Sequence, residues 1–134
     1  MNLFTQAAIR EVYDCHVLIQ EWFHGYEQAT PELLMKILKM FSPDFSMINP
    51  NGSNLTYTDL ELFLAKMRGA RPSVRIEVTE PKVILAKDDY CVLRYEEFQY
   101  MEDTKLHRIS TAIFTNDDNN GVLWHSLHET WAAN

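Results

Sequence analysis

The chain is poor in the features that assign a chemistry by motif alone. It has two cysteines and four glycines in 134 residues. Cys15 and Cys91 each sit inside an apolar-patterned segment, which reads as two buried, reduced thiols and not as a disulfide framework. No nucleophile elbow, P-loop or glycine-rich dinucleotide fingerprint occurs, so covalent catalysis and nucleotide chemistry find no support. No stretch approaches the roughly 20 apolar residues of a membrane span. The start, Met1-Asn2-Leu3-Phe4-Thr5-Gln6, lacks a basic n-region, so a cytoplasmic location is expected. Cations are also scarce, with 12 Lys and Arg against 19 Asp and Glu and a net charge of −7. Such a balance repels phosphate backbones and anionic lipid, which excludes nucleic acid and membrane surfaces as expected partners. Five histidines are present, but none forms a standard zinc spacing, and His125 and His128 would point to opposite faces of a strand. Neither metal nor cofactor is expected.

What is present is periodicity. A hydrophobic content of 46% and a length of 134 residues suit one globular domain, residues 1–134. Ile9, Val12, His16, Ile19, Phe23 and Tyr26 recur at three- and four-residue steps and predict an amphipathic helix over about 6–27. Thr30-Pro31-Glu32 is a second helix start, with Leu34, Ile37, Leu38 and Phe41 as its buried stripe until Ser42-Pro43. A short strand is expected from Asp44 to Ile48. A third helix is expected from Thr58, in a capping box with Glu61, to Gly69. After Pro72 the chain alternates as strands: Val74 to Val78, Val83 to Leu85, Tyr90 to Met101, and two runs flanking the polar turn Asn116 to Gly121. Helices followed by an antiparallel meander define an α+β domain with three helices packed on one face of a strongly curved antiparallel sheet.

The last two strands carry charge where a core is expected. Arg108, Ser110, Ala112 and Phe114 share one face, and Leu123, His125, Leu127, Glu129 and Trp131 share another. A face mixing Phe, Leu and Trp with Arg, Ser, His and Glu reads as the wall of a polar-floored pocket.

The element order, the segment Met40-Phe41-Ser42-Pro43-Asp44-Phe45-Ser46-Met47-Ile48-Asn49-Pro50-Asn51-Gly52 and the ending Gly121-Val122-Leu123-Trp124-His125-Ser126-Leu127-His128-Glu129-Thr130-Trp131 resemble the NTF2-like superfamily. Within it the chain resembles the SnoaL-like and DUF4440-type group, to which ketosteroid isomerases and scytalone dehydratase are related. The resemblance implies a cone of curved sheet closed by helices around a cavity. It also implies that the catalytic aspartate of ketosteroid isomerases falls at Asn49, where an amide cannot accept a proton, and that their oxyanion-stabilising aspartate falls at Ser110. Steroid isomerisation is therefore not expected.

The same resemblance places Arg94, Glu96, Phe98 and Tyr100 on the cone wall beside Arg108, Ser110 and Glu129. Those charges either neutralise one another as a structural network, hold a ligand, or move protons. His16 is either a satisfied core histidine or, beneath the roofing helix, a proton shuttle facing Glu96 or Glu129. The candidate catalytic residues are His16, Glu96 and Arg108. The candidate ligand-binding residues are Tyr13, Asn49, Ser110, His125 and Glu129. Tyr95, Glu97, Gln99, Thr111, Ile113, Trp124 and Thr130 are expected on the opposite face, against a second subunit. Three functions follow as expectations. The first is a homodimer binding a small molecule, the second a cofactor-independent isomerase, dehydratase or cyclase, and the third an assembly domain with a vestigial cavity.

Overall fold

The computed structural model describes residues 1–133. Asn2 accepts the Thr5 amide through its side chain and starts helix α1 (Leu3–His24), which Gly25 ends at φ 73°. Val12, His16 and Phe23 are buried along α1, on the face the three- and four-residue repeat predicts. Thr30 caps α2 (Pro31–Leu38) and Pro31 opens it. The helix stops before Phe41, because Phe41 begins strand β1 (Phe41–Ile48), which runs through Pro43 with irregular pairing between Phe41 and Ser46. Pro43 is tolerated where the ladder is already broken. A short β2 (Asn54–Thr56), not foreseen from the sequence, pairs antiparallel with β1. The capping box of α3 (Tyr57–Met67) is built by Thr56 and Asp59, two residues ahead of the expected pair.

The remaining strands are β3 (Arg75–Val78), β4 (Lys82–Ala86), β5 (Tyr90–Met101), β6 (Thr104–Asp117) and β7 (Gly121–Trp131). They give one sheet of order β2-β1-β7-β6-β5-β3, with β4 pairing β5 alongside β3. The fold is α+β, as expected, but the sheet is mixed, since β1 joins β7 in parallel. Sequence alternation marks faces and carries no strand direction, so this crossover was not legible in it.

One irregularity sets the face of β7. Ile113 pairs Ser126 but Phe114 pairs Trp124, so one extra residue, His125, is accommodated on β7. The bulge turns Trp124 inward, where it is sealed between Phe41 and Phe114 with ring centroids 5.6 and 4.5 Å away. Gly25 and Gly69 meet backbone to backbone, and a β-carbon on Gly25 would collide with Gly69. That approach lets the Gly69 and Arg71 amides donate to the carbonyls of Trp22 and Phe23, both at 3.1 Å. Arg71 is thereby placed at the end of α1.

Candidate functional site

Between the concave sheet, α1 and α3 lies a cavity of about 350 Å³. Phe41, Met47, Leu60, Leu64 and Leu127 supply apolar wall; His16, Arg71, Tyr95, Glu97, Arg108 and Glu129 supply the polar part.

Which residues of β5 face inward is the main correction. Cys91, Leu93, Tyr95, Glu97 and Gln99 are buried, whereas Arg94 is exposed. Glu96 accordingly points outward, its carboxylate 2.6 Å from Nε2 of His107 on the outer sheet surface. The expected cone face of Arg94, Glu96, Phe98 and Tyr100 is the outer one, and Tyr95, Glu97 and Gln99 do not face a second subunit. Both faces of β5 mix aromatic and charged residues. The deciding signal is that Cys91 and Leu93, apolar side chains with no polar function to serve, share alternation with Tyr95 and Glu97. Trp124, expected outside, is inside because of the bulge, and His125 does not line the cavity for the same reason. Tyr13 is 39% exposed and lies off the buried stripe of α1, away from the cavity.

The residues brought together form two linked groups. In the first, His16 Nδ1 lies 2.7 Å from the Val12 carbonyl and Nε2 lies 3.1 Å from Oε1 of Glu97. Both ring nitrogens meet acceptors, so the imidazolium, with two donors, satisfies both. Burial pushes the His16 pKa down, but the Glu97 charge and hydrogen bond, the Val12 carbonyl and Glu129 outweigh it, and the pKa is raised. Glu97, although burial opposes its ionisation, is held well below the carboxylate range by His16, Arg108 and Gln99. Gln99 Nε2 donates to Glu97 Oε2 at 2.6 Å, and the Gln99 carbonyl accepts from Arg71. The Arg71 guanidinium also stands 5.6 Å over the Phe23 ring.

In the second group, Arg108 donates to Glu129 Oε1 and Ser110 donates to Oε2, each at 3.3 Å. Arg108, Ser110 and Glu129 thus meet as the alternation of β6 and β7 predicts. Ser110 is fully buried and does not itself line the cavity, but it holds Glu129, which does. Burial and the nearby Glu97 raise the Glu129 pKa, against Arg108 and His16. Burial and the same two carboxylates push the Tyr95 phenol up, so it stays protonated. At the mouth, Arg108 stands 5.0 Å over the Trp131 ring, whose Nε1 donates to Asn51 Oδ1 at 3.1 Å. Asn49 also borders the cavity, but its Oδ1 accepts the amides of Asn51 and Ser53, both at 3.0 Å. Arg71, Tyr95, Glu97 and Gln99 are the polar site residues that sequence reading missed.

No cluster of three or more His, Cys, Asp or Glu is arranged to hold a metal ion among the described residues. Among the same residues, no helix is long and apolar enough to cross a membrane.

Helices roofing a curved sheet over a polar-floored cavity define a cone-fold protein of the NTF2-like class. An NTF2-like protein of unknown function from Pseudomonas aeruginosa is 31% identical to the chain, with a TM-score of 0.86 over 92% of this chain and 97% of that one. The chain belongs to the NTF2-like superfamily. Two more distant structures share the fold alone. One is a provisionally assigned ketosteroid isomerase from Parabacteroides distasonis, 13% identical with a TM-score of 0.65 over 90% of this chain and 85% of that one. The other is the association domain of CaMKII from C. elegans, 12% identical with a TM-score of 0.69 over 94% of each chain. No protein-family model and no curated protein matches the sequence.

Proposed function

We propose that this single domain binds a small, partly apolar molecule in its cone cavity, within the SnoaL-like branch of the superfamily that the sequence resembles. The observation that carries the reading is the pairing of an apolar wall with charged side chains that line a cavity of about 350 Å³, a volume within the usual range of ligand sites. A core built only for stability would replace such ion pairs by hydrophobic residues at no loss. His16, Glu97, Arg108 and Glu129 then orient the ligand, and Asn49 and Trp131 border its entrance. The test is a thermal-shift screen of small molecules against the wild type and Leu127→Trp, which fills the cavity. Bound compounds should raise the wild-type melting temperature and leave the variant unmoved. A screen in which every hit shifts both proteins equally overturns the reading.

A second reading, proton-transfer catalysis, draws on Glu129. It is the cavity carboxylate whose pKa is raised, as an acid or base working near neutrality requires. Turnover of a carbonyl compound lost in Glu129→Gln would support it. Assembly is the third element, and a dimer through the outer sheet face, with Ile109, Ile113, Thr130 and Phe98 in place of the buried Tyr95 and Trp124, fits the expectation of a second subunit. The cone fold it shares with an association domain is compatible with this. Light scattering at micromolar concentration should give twice the monomer mass.

A further inference from the structure

The cavity is electrically unlike the molecule that contains it. The chain as a whole carries −7, yet the charged side chains lining the cavity are His16, Arg71 and Arg108 against Glu97 and Glu129. With His16 protonated, three cations face two carboxylates. The carboxylates are also already engaged: Glu97 is taken by His16 at 3.1 Å and Glu129 by Arg108 at 3.3 Å. Arg71 is the cation left over. Its side-chain partner is the neutral amide of Gln99, and its guanidinium faces the Phe23 ring. A half-buried guanidinium matched only to an amide and a ring keeps most of its capacity for a charged acceptor.

We infer that the ligand of this cavity is a small apolar monoanion, with a planar oxyanion head such as a carboxylate seated by Arg71 and Arg108 and its apolar body against Leu60, Leu64 and Leu127. The inference rests on the small-molecule reading above and narrows it to one charge class. Three physical points support it. A planar oxyanion accepts paired donors from a guanidinium, which an ammonium or alcohol head cannot do. Burial lowers the Arg71 pKa and the nearby Arg108 lowers it further, with Glu97 offsetting them only in part, so an anion between the two cations relieves a repulsion that the protein's own carboxylates do not cancel. The rest of the acidic protein disfavours anions at long range, so selection must come from local, desolvated charges, where Coulomb interactions are strongest. A cationic ligand would meet the surplus positive charge, and a neutral one would leave it unanswered.

The test is calorimetric titration with naphthoate, naphthalene methanol and naphthylmethylamine, which share an apolar body and differ in the charge of the head. Naphthoate should bind saturably, one per chain, at least tenfold more tightly than the alcohol, and the amine more weakly still. Arg71→Gln should weaken naphthoate at least tenfold and leave the alcohol unchanged. This substitution leaves the buried ion pairs intact, because the partner of Arg71 is neutral, so an unaltered circular dichroism spectrum is expected. Raised chloride should compete with naphthoate alone. Equal affinity of the acid and the alcohol, or naphthoate binding insensitive to Arg71→Gln, overturns the anion assignment and leaves the small-molecule reading standing. Failure of all three probes to bind the folded wild type overturns both.

Discussion

His16 and Glu97, from α1 and β5, meet at 3.1 Å with both side chains almost sealed from water. The two partners impose opposite pH dependences. His16 is held above its ordinary 6.5, so its contribution to stability is complete below that value and fades as pH rises through the raised one. Glu97 is held below its ordinary 4.5, so its contribution is complete above that value and fades as pH falls through the depressed one. Glu129 acts differently: its pKa is raised, so it costs stability as pH climbs above its ordinary value. Stability should therefore peak on the acid side of neutrality. Urea midpoints measured through that window and above it should fall toward alkaline pH, and His16→Gln should flatten the alkaline limb.

Adjacent carboxylates on β5 supply a second prediction. Glu97→Gln leaves the His16 imidazolium buried without its counter-charge and should cost about 3–5 kcal/mol. Glu96→Gln removes only a contact to His107 on the outer surface, where the two side chains are 44% and 30% exposed, and should cost no more than about 1 kcal/mol. Chemical denaturation of the two variants checks both values. Equal losses would contradict the inward placement of Glu97.

These neighbours also show what the sequence could and could not disclose. The three helices were legible because their apolar spacing is local, although of their N-caps only Thr30 was read correctly, Asn2 starting α1 and Thr56 starting α3. The β6 and β7 pocket residues Arg108 and Glu129 were legible from alternation. The face of β5 was not, because Phe98 and Tyr100 make its outer side as aromatic as its inner side. There, Phe98 stacks on His107 at 4.0 Å and Arg75 stands 4.2 Å over Tyr100. Such a surface resembles a wall by composition and differs from one only by position. His125 and Trp124 were exchanged by a single bulge, which alternation cannot register. Arg71 belongs to a loop, and only the tertiary contact of Gly25 with Gly69 brings it to the cavity.

Trp131 should report on the cavity mouth. Trp22 and Trp124 are buried, whereas Trp131 is 41% exposed. Its indole N–H reaches Asn51 across the entrance in one exposed hydrogen bond, worth about 1 kcal/mol net. Acrylamide should quench the wild-type fluorescence in part, and Trp131→Phe should abolish the quenchable part. Asn51→Ala should increase quenching and lower stability in urea by no more than the roughly 1 kcal/mol of that bond. A variant as protected as the wild type would show that Asn51 does not hold the indole.

Asn49 carries the last prediction, because the structure gives its amide a job that a carboxylate would also perform. Its Oδ1 accepts two backbone amides, from Asn51 and Ser53, and pins the turn between β1 and β2. Asn49→Ala forfeits both bonds and should destabilise the protein by about 1–2 kcal/mol. Asn49→Asp keeps both acceptor positions and should leave stability close to that of the wild type. The same two donors stabilise the charged form of the new carboxylate and hold its pKa down, which makes it a poor proton acceptor from carbon. Steroid enone isomerisation, assayed by the absorbance of the conjugated product, should therefore be absent from the wild type and remain absent in Asn49→Asp. Robust turnover by the wild type that survives Asn49→Ala would identify a different base in the cavity, and Glu129→Gln would be the substitution to make next.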